Sequence, residues 1–576
     1  MDTFAHLPVQ HDGRIKPLET YARAQLSSLT GKEAVGDLPA IDWLAEAWFD
    51  QATAYSRPLF VLPSQAVADA LELKVKKGAR VPFATLALAI QTHLPLLAQL
   101  QVLPPEQRTQ TQQGVLDMFV KSLDYYALSR GVSLVLPVFA VSHTALAATL
   151  HVTPTVPFSW VDFQPQRDAY VAVANTLPPA QEDDILTMAA TLKRMEADRA
   201  LTEPRLFPSP TSTWHSGWSL FEQGASTPES VGQLAVWQHM AVAYINQQPA
   251  AWQAATVAAQ QAMRAHASPT RLQAEVLLQR ANPFRLSALF YALALVALTV
   301  WGMAKHPVLM RTSMGLAWLG VGLHTAGIIT RMVLLGRPPV ATLYESILFV
   351  GLAVVLMGLY LAKRQRTQGL LVATLGGTAL QSLGILLVSK GDSMGMLVAV
   401  LNTQFWLATH VVIITFGYAV CVVASAYGHL YLWQRWQGGE AAAKPLLRTG
   451  FVLLVAAIAL TSIGTWLGGV WADQSWGRFW GWDPKENGAL LIVLYLAWLL
   501  HGRLAGVLNP VRLAGGMVGL NAIVALAWFG VNLLGVGLHS YGFTSGLAGG
   551  LAAFCAAEIA YASAFLYLLR GTHASR

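Results

Sequence analysis

The residues best suited to hold a large flat ligand are concentrated in one stretch of the chain, from Trp471 to Glu486. Its aromatic residues are Trp471, Trp476, Phe479, Trp480 and Trp482. Aromatic faces stack favourably on planar apolar rings, and the glycines between them let flat rings approach closely. An aromatic belt at headgroup depth would explain one or two of the tryptophans, but not this density. The stretch therefore predicts a site for a porphyrin-like ring, whose carboxylates would be met by Arg478 or Lys485.

Four histidines in the apolar second half of the chain are candidate iron ligands: His324, His410, His501 and His539. An ionisable residue inside a membrane is costly, so a function is the default expectation, although a neutral histidine bonded to a neighbouring helix is a competitive alternative for each. His410 and His539 share the side of the membrane that carries the tryptophans. Two neutral imidazoles on either face of a flat cofactor give bis-histidine heme ligation, so this pair is predicted to bind one heme iron.

His501 is too distant from that pair to share its iron. It follows Glu486 by fifteen residues on one helix, which is about 22 Å at 1.5 Å per residue. It therefore predicts a second heme iron near the opposite surface, beside Arg503. His324 is a candidate partner, but it lies about 16 Å from the inner end of its own span. A packed histidine is an equally good interpretation of His324.

The acidic residues of the tryptophan-rich stretch have a structural interpretation. The sequence Asp483-Pro-Lys-Glu486 fits the start of a helix, with Asp as N-cap, Pro at the first helical position and Glu at the third. Asp483 and Glu486 are therefore predicted to cap the next helix, and no acid–base chemistry is assigned to them.

The elements that must position these residues are long apolar helices. Hydrophobic residues make up 54% of the 576-residue chain and charged residues 12%, about half the charged share of a soluble domain. Residues 1–280 predict a soluble, mostly helical domain, and residues 281–576 a transmembrane domain. The predicted fold class is all-α polytopic, with about nine transmembrane helices of roughly 20 residues: 284–304, 313–335, 341–362, 369–389, 404–432, 450–470, 487–502, 514–534 and 546–569.

Lys and Arg in the short loops predict the orientation in the membrane. Twelve lie in one set of loops and the C-terminus, against four in the opposite set: Arg337, Lys390, Arg478 and Lys485. The side with twelve is predicted to be cytoplasmic, which places the C-terminus inside, and the tryptophan-rich stretch and residues 1–280 outside. The net charge of +7 is then a topology signal, and no nucleic-acid partner is expected.

The outside location of residues 1–280 raises the question of how they cross the membrane. Met1 is followed by no signal-peptide pattern. A signal sequence upstream of a misplaced start is one explanation, and translocation driven by the first span is another. A third is that 131–150 forms a tenth span, which would move residues 1–130 inside. The misplaced start, with 131–150 as a soluble segment, is the favoured interpretation.

The cysteine content excludes several classes of site. The chain has two cysteines, Cys421 and Cys555, both in apolar runs. A disulfide framework, a zinc ribbon and a Cys-x-x-Cys redox site are therefore excluded. The chain also contains no Cys-x-x-Cys-His sequence, so it is not itself a c-type cytochrome.

Over about residues 284–576 the sequence resembles the CcsA/ResC family of cytochrome c biogenesis proteins, within a wider heme-handling superfamily. The loop 471–486 looks like that family's WWD domain. His410 and His539 match its two external histidines, and His501 matches its intramembrane histidine.

Two further segments are similar to parts of the same family. Residues 337–346 resemble a segment with a Tyr-Glu-Ser core, here Tyr344, Glu345 and Ser346. Residues 7–20 resemble the extra-membrane domain of some longer members, and the chemistry of that domain is unassigned. A folded domain that docks partners is the expected role of residues 1–280.

The resemblance implies a function in cytochrome c biogenesis. Noncovalent heme b would be carried across a bacterial inner membrane and presented at the periplasmic face. There it would be attached through thioethers to the Cys-x-x-Cys-His sequence of apocytochrome c. The ring would be bound by Trp476, Trp480, Trp482 and Arg478. A membrane partner of the CcsB/ResB type is expected to complete a cytochrome c heme lyase and to supply the second ligand of the inner heme.

Two other functions remain open from the sequence. A heme transporter or chaperone that passes heme on without catalysing its attachment would need the same ligands. A solute transporter with an aromatic substrate site would show inverted repeats and broken helices, which the sequence does not display, and would bind no heme.

Overall fold

A computed structural model describes residues 1–176, 182–209, 213–222, 228–388, 394–397, 403–533 and 547–570. The chain divides into two compact units. One comprises Met1–Arg280 with Ser389–Gly395, and the other Ala281–Val388 with Met396–Arg576. They are called the N-terminal unit and the membrane unit below.

The N-terminal unit is mostly helical, with an aromatic core that includes the fully buried Trp43, Trp48 and Trp218. Three two-stranded antiparallel hairpins supplement the helices, pairing Pro8–His11 with Arg14–Pro17, Ala34–Val35 with Leu38–Pro39, and Pro58–Val61 with Arg80–Pro82. Its α-helices are Asp2–Ala5, Leu18–Thr30, Ala40–Phe49, Gln51–Ser56, Gln65–Ala70, Phe83–Thr92, Leu94–Val102, Gln110–Arg130, Thr144–Thr149, Trp160–Phe163, Arg167–Ala174, Glu182–Glu196, Gly217–Glu222, Pro228–Ile245 and Pro249–Ala262, followed by Pro269–Ala281 at its boundary. Short 3₁₀ turns occupy Pro105–Gln107, Ser133–Val135, Gln164–Gln166 and Ala197–Ala200.

Residues 7–20 form the first hairpin and the start of the helix that follows it. Arg14 makes two bonds of 2.7 Å to the carboxylate of Glu275 and donates a third, of 2.6 Å, to the carbonyl of Met394. The side chain of Lys16 is fully buried, with its Nζ 3.3 Å from Asp12. These charged residues therefore hold distant segments of the N-terminal unit together.

Residues 131–150 contain no helix of span length. They form the 3₁₀ turn Ser133–Val135, an irregular segment and the six-residue helix Thr144–Thr149, whereas a span needs about 20 residues. Elsewhere in the N-terminal unit, Phe83–Thr92 and Leu94–Val102 together have the length and apolar composition of a span, but they meet at 75°.

The membrane unit consists of long apolar helices. Within the described residues, eight helical stretches are long and apolar enough to cross a bilayer. One of them, Gln404–Trp476, has 73 residues and would extend about 110 Å as one helix, against a hydrocarbon core of about 30 Å. Its backbone leaves the helical region at Gly439 (φ 77°, ψ −174°), so it contains two spans. The prediction of an all-α, multi-pass membrane protein with about nine transmembrane helices is confirmed.

We number the helices that cross the membrane as spans 1 to 9. Span 5 begins with Gln404–Trp406 and the π-helical turn Leu407–Val411, and span 8 runs from Pro510–Ala525 into the π-helical turn Leu526–Gly530 and then Val531–Leu533. The bounds of the nine spans are Pro283–Ala304, Pro307–Leu335, Leu343–Leu361, Arg366–Val388, 404–438, 440–476, Pro484–Leu504, 510–533 and Leu547–Leu568.

Spans 5 and 6 are longer than the apolar runs that predict them. The runs end at 432 and begin at 450, but the helices continue to Gly439 from both sides, and span 6 extends beyond 470 to Trp476. Hydropathy marks the part of a helix that lies in hydrocarbon, whereas backbone hydrogen bonds continue into the polar layer. The first part of the tryptophan-rich stretch is therefore helical.

Glycines bring the spans around the site close together. A Cβ on Gly464 of span 6 would lie 2.9 Å from the Cα of Ile414 in span 5, and one on Gly428 of span 5 would lie 2.9 Å from the carbonyl oxygen of Ala514 in span 8. Without a hydrophobic driving force between helices in lipid, such small residues permit the tight packing that stabilises helix pairs.

A polar cluster inside the membrane links spans 5, 8 and 9. His429 Nε2 lies 3.0 Å from Glu558 Oε2, and Asn521 donates a 2.7 Å hydrogen bond to Glu558 Oε1. The hydroxyl of Tyr561 donates to the backbone carbonyl of His429 at 3.2 Å. His429 and Glu558 were not among the residues predicted from the sequence, because neither lies near the tryptophan-rich stretch.

Replacing Glu558 by alanine is expected to destabilise the membrane unit by about 1–3 kcal/mol, because His429 and Asn521 lose their buried partner. The midpoint of thermal unfolding in detergent should fall. Glu558→Gln keeps an acceptor for Asn521, so its unfolding midpoint should lie between those of the wild type and Glu558→Ala. Ile559→Ala is the control, since that side chain is 59% exposed on the same helix. An unchanged midpoint for Glu558→Ala would mean that the cluster contributes nothing to stability.

Candidate functional site

A cavity opens at the end of the membrane unit where spans 5, 6 and 7 carry His410 and the tryptophan-rich stretch. It contains about 1030 Å³ of space free of protein atoms, open mouth included. The walls are predominantly aromatic and apolar, and they come from five spans and the segment before span 3. Residues in the walls include Val340, Leu343, Ser346, His410, Tyr418, Trp471, Trp476, Phe479, Trp480, Lys485, Glu486 and Trp528.

His410 lies in the π-helical turn of span 5, a distortion that is frequent at functional sites. Its Nδ1 is 2.8 Å from the carbonyl oxygen of Gly464 in span 6. The carbonyl can only accept, so Nδ1 carries the proton and donates it, and the lone pair of the neutral ring is on Nε2. A backbone acceptor of this kind is the usual partner of a histidine that ligates a metal through its other nitrogen.

The second π-helical turn of the membrane unit lies in span 8 and also borders the cavity. It contains Trp528, whose indole Nε1 donates a 3.0 Å hydrogen bond to Ser346 Oγ at the start of span 3. This bond holds a large aromatic side chain in the cavity wall. Trp528 was not predicted from the sequence, because it lies in an apolar run where nothing distinguishes it from a lipid-facing tryptophan.

The tryptophans assigned from the sequence separate into two groups. Trp476 and Trp480 line the cavity together with His410. Trp482 is not part of the wall: its side chain is 70% exposed and stands edge-on to Trp480, with ring centres 6.1 Å apart. Trp471 is a wall residue that the sequence analysis placed in the stretch without a role, and its ring centre lies 5.8 Å from that of His410.

The tryptophan-rich stretch consists of a helix end, a short turn and a helix start. Span 6 ends at Trp476 and is followed by Gly477 in the left-handed conformation. Asp483 accepts from the backbone N–H of Lys485, and Glu486 accepts from the N–H groups of Gly481 and Asp483, at 2.7 and 3.2 Å. This capping box confirms the prediction that Asp483 and Glu486 begin span 7.

The two basic residues considered for the ring carboxylates have different surroundings. Arg478 donates a 3.1 Å hydrogen bond to Glu486, with its guanidinium 5.6 Å from the ring centre of Trp476, and it is not among the wall residues. Lys485 is in the wall, and its Nζ donates to the carbonyl of Trp528 at 3.3 Å. Of these two basic residues, Lys485 is therefore the one that lines the cavity.

The other histidines do not join His410 in the described residues. His501 is exposed in the last turn of span 7, at the opposite end from Glu486, where its Nδ1 bonds the carbonyl of Ala497 at 2.8 Å. His324 is fully buried in span 2, with its Nδ1 3.3 Å from the hydroxyl of Tyr291. Its Nε2 is buried without a hydrogen-bond partner among the described residues. His539 lies outside the described residues.

The Tyr-Glu-Ser segment supports one wall of the cavity through a buried ionic cluster. Glu345 is fully buried and faces two buried arginines, Arg331 at 3.0 Å and Arg337 at 2.6 Å. The same carboxylate accepts from the N–H groups of Ala341 and Thr342, which belong to the wall. Glu345 thus fixes the backbone that precedes span 3.

Comparison with known proteins assigns the membrane unit to a family. The family described as "Cytochrome C assembly protein" matches residues 340–539. The chain is 31% identical to the cytochrome c biogenesis protein CcsA of Synechococcus sp. (strain CC9605) over 305 residues, which cover 46% of this chain and 98% of that protein. CcsA of Chlamydomonas reinhardtii is 35% identical over 148 residues, 24% of this chain and 41% of that protein.

A longer relative matches a similar part of the chain. Protein NrfI of Wolinella succinogenes is 30% identical over 295 residues, 48% of this chain, and the chain spans about a third (32%) of the length of that protein. The matched family residues begin at 340, so they include the start of span 3, His410, the tryptophan-rich stretch and His501. The protein is a multi-pass membrane protein of cytochrome c biogenesis and belongs to the CcsA family.

Proposed function

We propose that the cavity beside His410 binds heme at the periplasmic face of a bacterial inner membrane and presents it for covalent attachment to apocytochrome c. The observation that carries the proposal is the imidazole of His410, which stands in an aromatic wall with its Nδ1 proton held by the carbonyl of Gly464. Its Nε2 lone pair is the group that would ligate iron.

The chemistry of the cavity wall suits heme as the substrate. Trp471, Trp476, Trp480 and Trp528 supply flat apolar faces for the porphyrin. Lys485 supplies a cation for a propionate. His539, in the segment that follows span 8, is proposed as the second axial ligand, as the family resemblance implies. Trp482, being exposed, is better placed to meet the arriving apocytochrome than to hold the ring.

The attachment reaction depends more on positioning the cysteine thiols beside the heme vinyl groups than on acid–base catalysis. Each cysteine thiol of the apocytochrome adds across a heme vinyl group, so a C–S bond forms and the thiol hydrogen passes to the other vinyl carbon, with no net oxidation. The histidine of the Cys-x-x-Cys-His sequence replaces one axial ligand and thereby brings the thiols beside the vinyls. Proximity of this kind is worth about 7–11 kcal/mol when the groups are well oriented. Asp483 and Glu486 are occupied as caps, which agrees with a mechanism that requires no general base.

Delivery of heme from the inside is proposed to use His501 at the other end of span 7. The two ends of that helix are occupied by the tryptophan turn and by His501, so one span connects both proposed heme positions. A CcsB/ResB-type membrane protein is proposed as the partner that supplies the second iron ligand for the heme at His501. The N-terminal unit is proposed to be periplasmic and the C-terminus cytoplasmic.

The decisive experiment reconstitutes the reaction with the chain copurified with its partner. Heme bound to the complex is quantified as the pyridine hemochrome, and reduced apocytochrome is then added. We expect noncovalent heme b that becomes covalent on the apocytochrome, detected by heme staining of denatured protein and by mass. Heme that binds but is never attached would favour the carrier function. A complex that binds no heme would exclude both.

A further inference from the structure

Two of the residues on the face of span 6 that meets His410 are glycines, and Trp471 lies farther along the same helix. Gly464 and Gly468 lie one helical turn apart on that face. Gly468 contacts His410, and Gly464 contacts both His410 and Ile414 of span 5. The carbonyl of Gly464 accepts from His410 Nδ1, as described above. Gly468 lies against the face of the His410 imidazole and limits the space that this ring can occupy.

The space beside Gly468 is too small for any side chain while His410 keeps its position. A Cβ added to Gly468 would lie 2.7 Å from His410 Cε1 and 3.2 Å from both ring nitrogens. Carbon atoms that are not bonded attract optimally near 3.5–4.0 Å, so the imidazole would have to move. The backbone of span 6 need not move, because the obstructing atoms belong to a side chain.

Gly464 is a different case. A Cβ there would lie 2.9 Å from the backbone Cα of Ile414, so a substitution would separate spans 5 and 6. The neighbouring Gly469 faces Phe479, with a Cβ position 2.5 Å from that ring. Of the three glycines, Gly468 is the one whose substitution acts on the His410 ring itself.

We infer that Gly468 is a positioning residue for heme ligation: with the Gly464 carbonyl, it holds the His410 imidazole in the orientation that directs Nε2 to the iron. This inference rests on the proposed function and deepens it. An alanine at 468 turns the ring away, lengthens or breaks the bond to Gly464, and misdirects Nε2. Loss of an orienting contact around a metal ligand typically weakens metal binding by about 10–100-fold.

The test compares Gly468→Ala with Gly315→Ala in the 576-residue chain. Gly315 is a helical glycine of span 2 with open space at its Cβ position. Heme affinity is measured by spectroscopic titration, and folding by the thermal midpoint. We expect about 10-fold weaker heme binding and a loss of the bis-histidine absorption bands in Gly468→Ala, with an unchanged Gly315→Ala. Wild-type spectrum and affinity in Gly468→Ala would overturn the inference while leaving the proposed function intact.

A second comparison separates positioning from a general disturbance of the fold. Imidazole added to His410→Gly supplies a ligand that is not attached to the chain, and it should restore heme binding. The double variant His410→Gly/Gly468→Ala should then bind heme as well as His410→Gly does, because Gly468 acts only through the missing ring. If the double variant binds heme about 10-fold more weakly under imidazole, Gly468 acts by another route and the inference is wrong. A wild-type protein without heme would overturn the proposed function and this role together.

Discussion

The His410→Ala variant is expected to bind heme about 100-fold more weakly than the wild type and to support no holocytochrome c formation. The variant lacks the imidazole that stands in the cavity wall. Removing a residue that hydrogen-bonds a metal ligand typically lowers metal affinity by about 10–100-fold, and removing the ligand itself should lower it by at least the upper end of that range. The measurement is the pyridine hemochrome yield of the purified protein, followed by heme staining of the substrate cytochrome. The His410→Ala/His539→Ala variant should retain less heme than either single variant.

The control for that experiment is another histidine of the membrane unit. His306→Ala removes an exposed imidazole that precedes span 2 and makes no capping bond, so heme content and cytochrome maturation should be unchanged. If His410→Ala and His306→Ala retain equal heme, His410 is not a ligand. If His410→Ala supports full cytochrome maturation although the purified protein has lost its heme, the cavity beside His410 is not the place where attachment occurs.

The largest effect on stability is expected for Glu345→Ala. The substitution leaves Arg331 and Arg337 buried beside each other without the carboxylate that faces both. Removing one partner of a buried ion pair costs about 3–5 kcal/mol, because the remaining charge is uncompensated. The thermal midpoint in detergent should fall strongly, and heme binding should fall with it, since Glu345 also holds the backbone of the cavity wall.

An ion pair with an exposed carboxylate, Arg435 with Glu440, provides the control for Glu345. Glu440 lies 2.8 Å from Arg435 and its side chain is 49% exposed. Glu440→Ala should cost no more than about 1 kcal/mol, the usual limit for a surface pair. Similar midpoints for the Glu345 and Glu440 variants would show that burial of the Glu345 cluster does not increase its contribution to stability.

The elements of the fold were largely predictable from the sequence. Backbone groups in lipid must be satisfied within the segment, so long apolar runs can only be helices. About nine were expected, and the described residues contain nine once the longest stretch is divided at Gly439. The cap at Asp483 was equally predictable, because a capping box depends on residues three apart. The ends of spans 5 and 6 were not predictable, because hydropathy stops at the edge of the hydrocarbon whereas the helix does not.

The composition of the cavity wall was only partly predictable. Trp476, Trp480 and His410 were assigned to one site from residue type and from the side of the membrane, and the structure brings them together. Trp482, assigned to the same group, is exposed and does not line the cavity, and Trp528 was not predicted. Residue type and depth along a span are readable from the sequence, but the direction in which each side chain faces depends on which helices are neighbours.

What the sequence by itself determined is therefore the set of spans, their order and the chemistry available at each end. Only the tertiary structure decided which of those groups meet. The bond from His410 to Gly464 joins residues 54 apart, and the bond from Trp528 to Ser346 joins residues 182 apart. Such contacts depend on which helix faces pack together, and a single sequence contains no local periodicity that specifies those faces.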